Sequence, residues 1–91
     1  MRVTVIGAGN GGLTAAYVLA KNGHEVCIYD SPKFPAQVNA VREKGGIRAL
    51  AEDNGAKMLL PGFAEITLAT TDVQKAMEFS DTFMMVCPSF A

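Results

Sequence analysis

The sequence predicts an α/β protein, a parallel sheet with helices on its faces, and three observations predict it. Short apolar runs rich in β-branched residues alternate with stretches of helical periodicity. The first run breaks into a glycine-rich turn and resumes as an alanine-rich helical pattern. The second run, Glu25-Val26-Cys27-Ile28-Tyr29, is almost continuously apolar, as a strand covered on both faces should be.

The opening stretch, Arg2-Val3-Thr4-Val5-Ile6-Gly7-Ala8-Gly9-Asn10-Gly11-Gly12-Leu13, carries the densest information. Residues 3–6 read as a strand, and the glycines that follow are spaced Gly7-x-Gly9-x-x-Gly12, the dinucleotide-binding spacing. Gly7 lets the chain turn sharply off the strand. Gly9 lacks a Cβ, so a pyrophosphate can approach the backbone, and Gly12 lets the helix pack closely on the strand it leaves. The free N–H groups near Asn10 and Gly11, with the positive end of the helix dipole, then face the phosphates.

Glycine-rich turns are common, so the context decides. A strand precedes the turn, a helix over about 11–22 follows it, and Asp30 ends the second strand 18 positions after Gly12. That is close to the roughly 20-residue offset of a ribose-binding carboxylate. Asp30 can accept hydrogen bonds from both ribose hydroxyls and would repel a 2′-phosphate, which favours NAD over NADP. Lys33 nearby works the other way, since a cation there could hold that phosphate.

The first helix places Leu13, Ala16, Tyr17 and Ala20 on one stripe and stops at Asn22-Gly23. His24 enters the second strand at its amino end, away from the carboxyl ends where ligands of open α/β sheets bind, so it is not read as functional. A second helix is expected over 35–44, with proline in its first turn and Val38 and Val41 facing inward; Gly45-Gly46 breaks it. Residues 47–50 and 56–60 are read as the two arms of a hairpin around Asp53-Asn54-Gly55, a decoration on the solvent side closed by Pro61-Gly62. Residues 66–69 form the third parallel strand. Thr71 or Asp72 caps a helix over 73–79 with Val73, Ala76, Met77 and Phe79 inward, and residues 82–87 form the fourth strand. Right-handed crossovers give strand order 3-2-1-4. Two strand spacings, about 10 Å, then separate Cys27 from Cys87, too far for a disulfide.

The expected cofactor contacts are Gly7, Ala8, Gly9, Asn10, Gly11, Gly12, Asp30 and Ser31, with Val86, Cys87 and Pro88 lining the cofactor from the end of the fourth strand. No residue is assigned a catalytic or metal-binding role. A nucleophilic Cys87 is disfavoured because no base is identifiable near it.

Composition bounds the rest. The 91 residues are 49% hydrophobic and 19% charged with net charge −1, the balance of one small globular domain. No basic excess points to nucleic acid or an anionic membrane, and no apolar run reaches the roughly 18 residues of a membrane span. Two cysteines without a Cys-x-x-Cys spacing suit a reduced chain, so a cytoplasmic location is expected. The length leaves room for one half of a Rossmann-type dinucleotide-binding domain. Residues 1–91 are therefore expected to be a truncated amino-terminal domain, inactive alone, with its carboxyl-terminal catalytic domain absent. The fourth strand would present an unpaired apolar edge, which invites self-association into a homo-oligomer and leaves the chain marginally stable.

Val5-Ile6-Gly7-Ala8-Gly9-Asn10-Gly11-Gly12, Gly23-His24-Glu25-Val26, Val41-Arg42-Glu43-Lys44-Gly45-Gly46-Ile47, Thr70-Thr71-Asp72-Val73-Gln74-Lys75-Ala76 and Val86-Cys87-Pro88-Ser89-Phe90-Ala91 together resemble one family. It is the amino-terminal domain of the NAD/NADP octopine/opine dehydrogenases, similar in turn to glycerol-3-phosphate dehydrogenase and ketopantoate reductase. The resemblance covers essentially the whole chain. It implies an oxidoreductase that condenses an amino acid with an α-keto acid using hydride from NAD(P)H, its catalytic histidine lying in a carboxyl-terminal domain that no position here matches. Two other readings stand beside it: a nucleotide-binding module without catalysis, and an FAD-binding βαβ unit, whose spacing Gly12, Ala16 and Gly23 also fit.

Overall fold

The computed structural model describes residues 1–49 and 62–86; the side chains of Asn10 and Ala49 are not among the described parts. Its elements, in order, are β1 (Arg2–Ile6), α1 (Asn10–Lys21), β2 (Glu25–Tyr29), α2 (Ala36–Lys44), β3 (Gly46–Ala49), β4 (Gly62–Glu65), β5 (Leu68–Thr70), α3 (Val73–Phe79) and β6 (Phe83–Met85). Four of the strands make a parallel sheet in the order β5-β2-β1-β6. With the hairpin strands set aside, this is the expected order 3-2-1-4.

Strand alternation divides the core into two layers. Val3 and Val5 of β1 and Val26 and Ile28 of β2 face α1 and α2, where Ala16, Val38 and Val41 complete a fully apolar layer with Ile66 and Ala69. The intervening residues, Thr4 and Cys27, face the other way, where Cys27 packs with Ala76 and Phe79 of α3. Thr4 is a polar residue in the middle of a buried strand, and it is satisfied: its hydroxyl donates to the Ala76 carbonyl at 3.1 Å. Each fully buried valine or isoleucine contributes on the order of 1.5–3 kcal/mol, so the four inward residues of β1 and β2 dominate the stability of this layer.

The helix limits follow local chemistry. α1 ends at Asn22, and Gly23 takes φ +91° beyond it. α2 starts after Pro35 and ends at Gly45, which adopts the left-handed conformation. Asp72 caps α3: its Oδ1 accepts the Gln74 N–H at 2.9 Å and the Lys75 N–H at 3.4 Å. At the amino edge of the sheet, Arg2 joins three elements. Its Nε meets Glu25 at 3.2 Å, Nη1 donates to the Phe79 carbonyl at 3.3 Å, and the guanidinium lies 4.8 Å from the centre of the Phe79 ring.

Four expectations are corrected. An antiparallel pair is present, but it joins β3 to β4, Gly62–Glu65, so Gly62 begins a strand and does not close the excursion. The arm expected at 56–60, Leu50 and the turn at 53–55 lie outside the described residues. Nor is the hairpin a solvent-side decoration. Ala64 is buried against Tyr17 of α1, with Ile47 and Ala20 packed around them, so the pair roofs the outer side of that helix. Gly46 makes the pairing close enough, since a Cβ there would run into the Ala64 carbonyl oxygen.

The inward set of α3 is also narrower than expected. Ala76 and Phe79 are buried, whereas Val73 and Met77 are 56% and 54% exposed, so Met77 does not fill the core. A seven-residue helix lying across β1 and β2 turns only one narrow stripe inward. Finally, the third and fourth strands are shorter than expected, three residues each, at 68–70 and 83–85. β6 pairs with β1 and, among the described residues, with no other strand; Met85 on it is 70% exposed.

Candidate functional site

The site is built at the carboxyl ends of β1, β2 and β6, where the parallel strands point together. Gly7 leaves β1 with φ +112°, a conformation closed to most side chains, and a Cβ on it would strike the Val86 carbonyl oxygen. Its own N–H donates to the Tyr29 carbonyl at 2.8 Å, which ties the turn to the end of β2. Gly12 sits one helical turn further on, where a Cβ would run into the Gly7 carbonyl and stand 2.7 Å from the Gly7 carbonyl carbon. These two glycines are therefore required by the protein's own packing.

Gly9 is different. It is exposed, its backbone is extended (φ −74°, ψ −173°), and among the described residues a Cβ on it would meet nothing within 4 Å. The fold makes no demand for glycine there, so the missing side chain leaves a space facing out of the protein. That space opens onto the start of α1. No side chain caps this helix at Gly9, and its first turn carries no acid. By geometry, the leading amides of a helix have no acceptor within it, and here no carboxylate competes for them. The arrangement suits an external anion at the positive end of the helix dipole.

Asp30 follows β2 and reaches across to the same turn. Its Oδ2 accepts the Ala8 N–H at 3.0 Å and its Oδ1 accepts the Ser31 N–H at 2.7 Å. Each carboxylate oxygen thus holds one backbone amide and keeps lone-pair capacity for another donor. Asp30 is half-buried. Lys33 is exposed in the loop beyond, and its N–H donates to the Ser31 hydroxyl at 3.2 Å.

From the third side comes Val86. Its N–H donates to the Ile6 carbonyl at 2.9 Å, and its Cγ1 stands 3.0 Å from where a Gly11 side chain would begin. Gly7, Ala8, Gly9, Gly11, Gly12, Asp30, Ser31 and Val86 therefore converge on one turn. Asn10 begins α1 in the same place. Cys87 and Pro88 lie outside the described residues. The contact that sequence reasoning missed is the one between Ala8 and Asp30, because a side chain 22 residues away cannot be matched to a particular amide by spacing alone.

Other candidates fall away. His24 lies at the amino end of β2, its ring 3.5 Å from the Met1 amino group, on the opposite edge of the sheet. Cys27 is buried and free, and burial pushes its thiol up to about 11, so it is held in the unreactive form. Among the described residues no three histidine, cysteine, aspartate or glutamate side chains gather to hold a metal, and no helix is long and apolar enough to cross a membrane.

Comparison with known proteins bears on the same region. Residues 2–91 match the family model described as NAD-dependent glycerol-3-phosphate dehydrogenase N-terminus. The glycerol-3-phosphate dehydrogenase [NAD(P)+] of Enterococcus faecalis is 33% identical over 90 residues, covering 99% of this chain and 24% of that protein. The enzyme of the same name from Staphylococcus saprophyticus is 31% identical over 90 residues, again with 99% and 24% covered. A shorter match, 45% identical over 47 residues, covers 52% of this chain and 11% of the D-amino acid dehydrogenase of Allorhizobium ampelinum. The chain spans about a quarter of the length of the two glycerol-3-phosphate dehydrogenases. A family match along nearly the whole chain, on a parallel sheet with a glycine turn at its carboxyl edge, has one reading: the chain belongs to the family of the NAD-dependent glycerol-3-phosphate dehydrogenase N-terminus.

Proposed function

We propose that the turn between β1 and α1 binds the pyrophosphate of NAD(H) or NADP(H), and that the chain is the cofactor-binding part of an NAD(P)-dependent oxidoreductase of the glycerol-3-phosphate dehydrogenase type. The observation that carries this is the space at Gly9. It is a glycine that packing does not require, open in front of an uncapped helix start and beside the Asp30 carboxylate. The leading amides of α1 would hold the phosphates, Asp30 and Ser31 the adenosine ribose, and the backbone from Val86 through Cys87 and Pro88 the side toward the nicotinamide. When bound, the nicotinamide supplies or takes up the hydride. This chain's residues bind it and orient it, and Val86 walls the turn on the β6 side. Asp30 favours the 2′-hydroxyl of NAD through its charge, with Lys33 the nearby cation able to accept a 2′-phosphate.

On this reading the substrate is glycerol 3-phosphate, oxidised at a CH–OH carbon, and the groups that act on it lie outside residues 1–91. The names of the relatives support it, as does the family match. A second reading, reductive condensation of an amino acid and an α-keto acid, is carried by the sequence resemblance to the opine dehydrogenases. Calorimetric titration with NADH, NADPH and FAD tests the cofactor; tighter binding of FAD, or no binding of either nicotinamide, refutes the proposal. Assays of the protein with glycerol 3-phosphate and NAD+, and with amino acid, α-keto acid and NADH, then separate the two substrate classes. NADH binding with turnover in neither supports a module that binds without catalysing.

A further inference from the structure

The Ala8–Asp30 bond sits in an unusual place for a carboxylate awaiting only a ribose. Ala8 is fully buried, and its N–H donates to Asp30 Oδ2 in a part-buried bond. On one side of it, Gly7 is tied to the Tyr29 carbonyl. On the other, the next backbone bond among the described residues is from the Leu13 N–H to the Gly9 carbonyl, at 2.9 Å. Between these two ties, among the described residues, the Asp30 carboxylate is what holds the turn. Without it a buried amide would be left with no acceptor, which folded proteins rarely tolerate. Asp30 is itself fixed by the Ser31 N–H at 2.7 Å, so the carboxylate plane is set from both ends before anything else arrives.

We infer that Asp30 is a positioning residue for the phosphate-binding turn: it clamps Ala8, and thereby sets the backbone of Gly9 and the leading amides of α1 where a pyrophosphate meets them. The inference rests on the proposed nucleotide binding and deepens it. A ribose contact matters only to ligands that carry a ribose. A clamp matters to inorganic pyrophosphate too, and to the turn with nothing bound. The two roles are compatible, since each carboxylate oxygen accepts one amide and can accept a hydroxyl as well.

The test uses Asp30→Ala, which removes both acceptors, and Asp30→Asn, which keeps one. Amide hydrogen exchange of the ligand-free protein is followed by NMR at Ala8, with the buried strand amides of Val5 and Val26 as the internal measure of folding. Inorganic pyrophosphate and NADH are titrated calorimetrically. In Asp30→Ala the Ala8 amide should exchange roughly tenfold faster or more, the strand amides staying as they were. Pyrophosphate affinity should fall in step, and Asp30→Asn should lie between. Should Asp30→Ala lose strand protection as well, the same comparison is made on Asp30→Asn. An Ala8 amide at the wild-type rate, with pyrophosphate affinity kept and only NADH affinity lost, overturns the clamp and leaves the nucleotide site standing. Wild-type protein that binds neither NADH nor pyrophosphate overturns both.

Discussion

Two glycines three residues apart should respond to the same substitution in opposite ways. At Gly12 a methyl group would run into the Gly7 carbonyl oxygen and stand 2.7 Å from its carbon. Both atoms are backbone, so no side chain can swing aside. Clearing the carbon alone to about 3.4 Å would take roughly 0.7 Å; the oxygen is nearer still, so α1, which carries the buried Ala16 and Tyr17, must move further than that. Overpacking of this kind costs about 1–3 kcal/mol, more where the backbone must shift. At Gly9 the same methyl meets no atom of the described residues within 4 Å, on a backbone that alanine adopts readily. Lower entropy of the unfolded chain and a poorer helix cap oppose each other there, leaving stability within about 1 kcal/mol of wild type. The methyl instead fills the space assigned to the pyrophosphate. Urea unfolding and NADH titration of both variants separate the effects. Gly12→Ala should lower the unfolding midpoint, and its displaced turn should bind weakly. Gly9→Ala should keep its midpoint and lose at least about tenfold in NADH affinity, 1.4 kcal/mol. A Gly9→Ala protein with wild-type affinity would show that the space is not where the nucleotide sits.

Asp30→Ala should weaken NADH more than NADPH, because the lost carboxylate both accepts the ribose hydroxyls and repels a 2′-phosphate; equal losses in calorimetry would remove the ribose role. Cys27 should resist iodoacetamide in the folded protein at pH 8 and react on unfolding, read by mass spectrometry. Its thiol stands near 9.0 in the open chain and near 11 when buried, so the folded state holds the proton longer. That contribution to stability is complete below about pH 9 and disappears as the pH rises to about 11, which Cys27→Ala should abolish in urea titrations across that range. Asp72→Ala removes the side chain that caps α3 and should cost about 0.5–2 kcal/mol, measured by thermal unfolding; no loss would mean that the helix is held by Ala76 and Phe79 alone.

The parallel sheet was legible because its evidence is local. The β-branched runs, the Gly7-x-Gly9-x-x-Gly12 spacing and Asp30 lie within one βαβ unit, and α1, β2 and α2 fall within a residue or two of their expected limits. Asp72 was among the expected caps of α3. What stayed hidden depends on distant neighbours. Gly62-Phe63-Ala64-Glu65 offers one buried side chain, Ala64, so nothing in its pattern announces a strand; its pairing is decided by Gly46 and by Tyr17 beneath it. Val73 and Met77 have the hydrophobicity of core residues and the spacing of a helix face, yet the single stripe that the short α3 lays on the sheet includes neither. At the site, spacing identified the glycines as a group but could not separate Gly7 and Gly12, which the fold needs, from Gly9, which it does not. Resemblance pointed toward the opine dehydrogenases, with glycerol-3-phosphate dehydrogenase as a relative, whereas the family that matches is the glycerol-3-phosphate dehydrogenase one.

Arg2 has a consequence for how the molecule divides its rigidity. One guanidinium ties β1, β2 and the end of α3 at the rim furthest from the glycine turn, but its pair with Glu25 is half-exposed, so it contributes at most about 1 kcal/mol and is screened by salt. Added salt should therefore soften the rim remote from the ligand while the backbone ties at the turn, Gly7 to Tyr29 and Val86 to Ile6, hold.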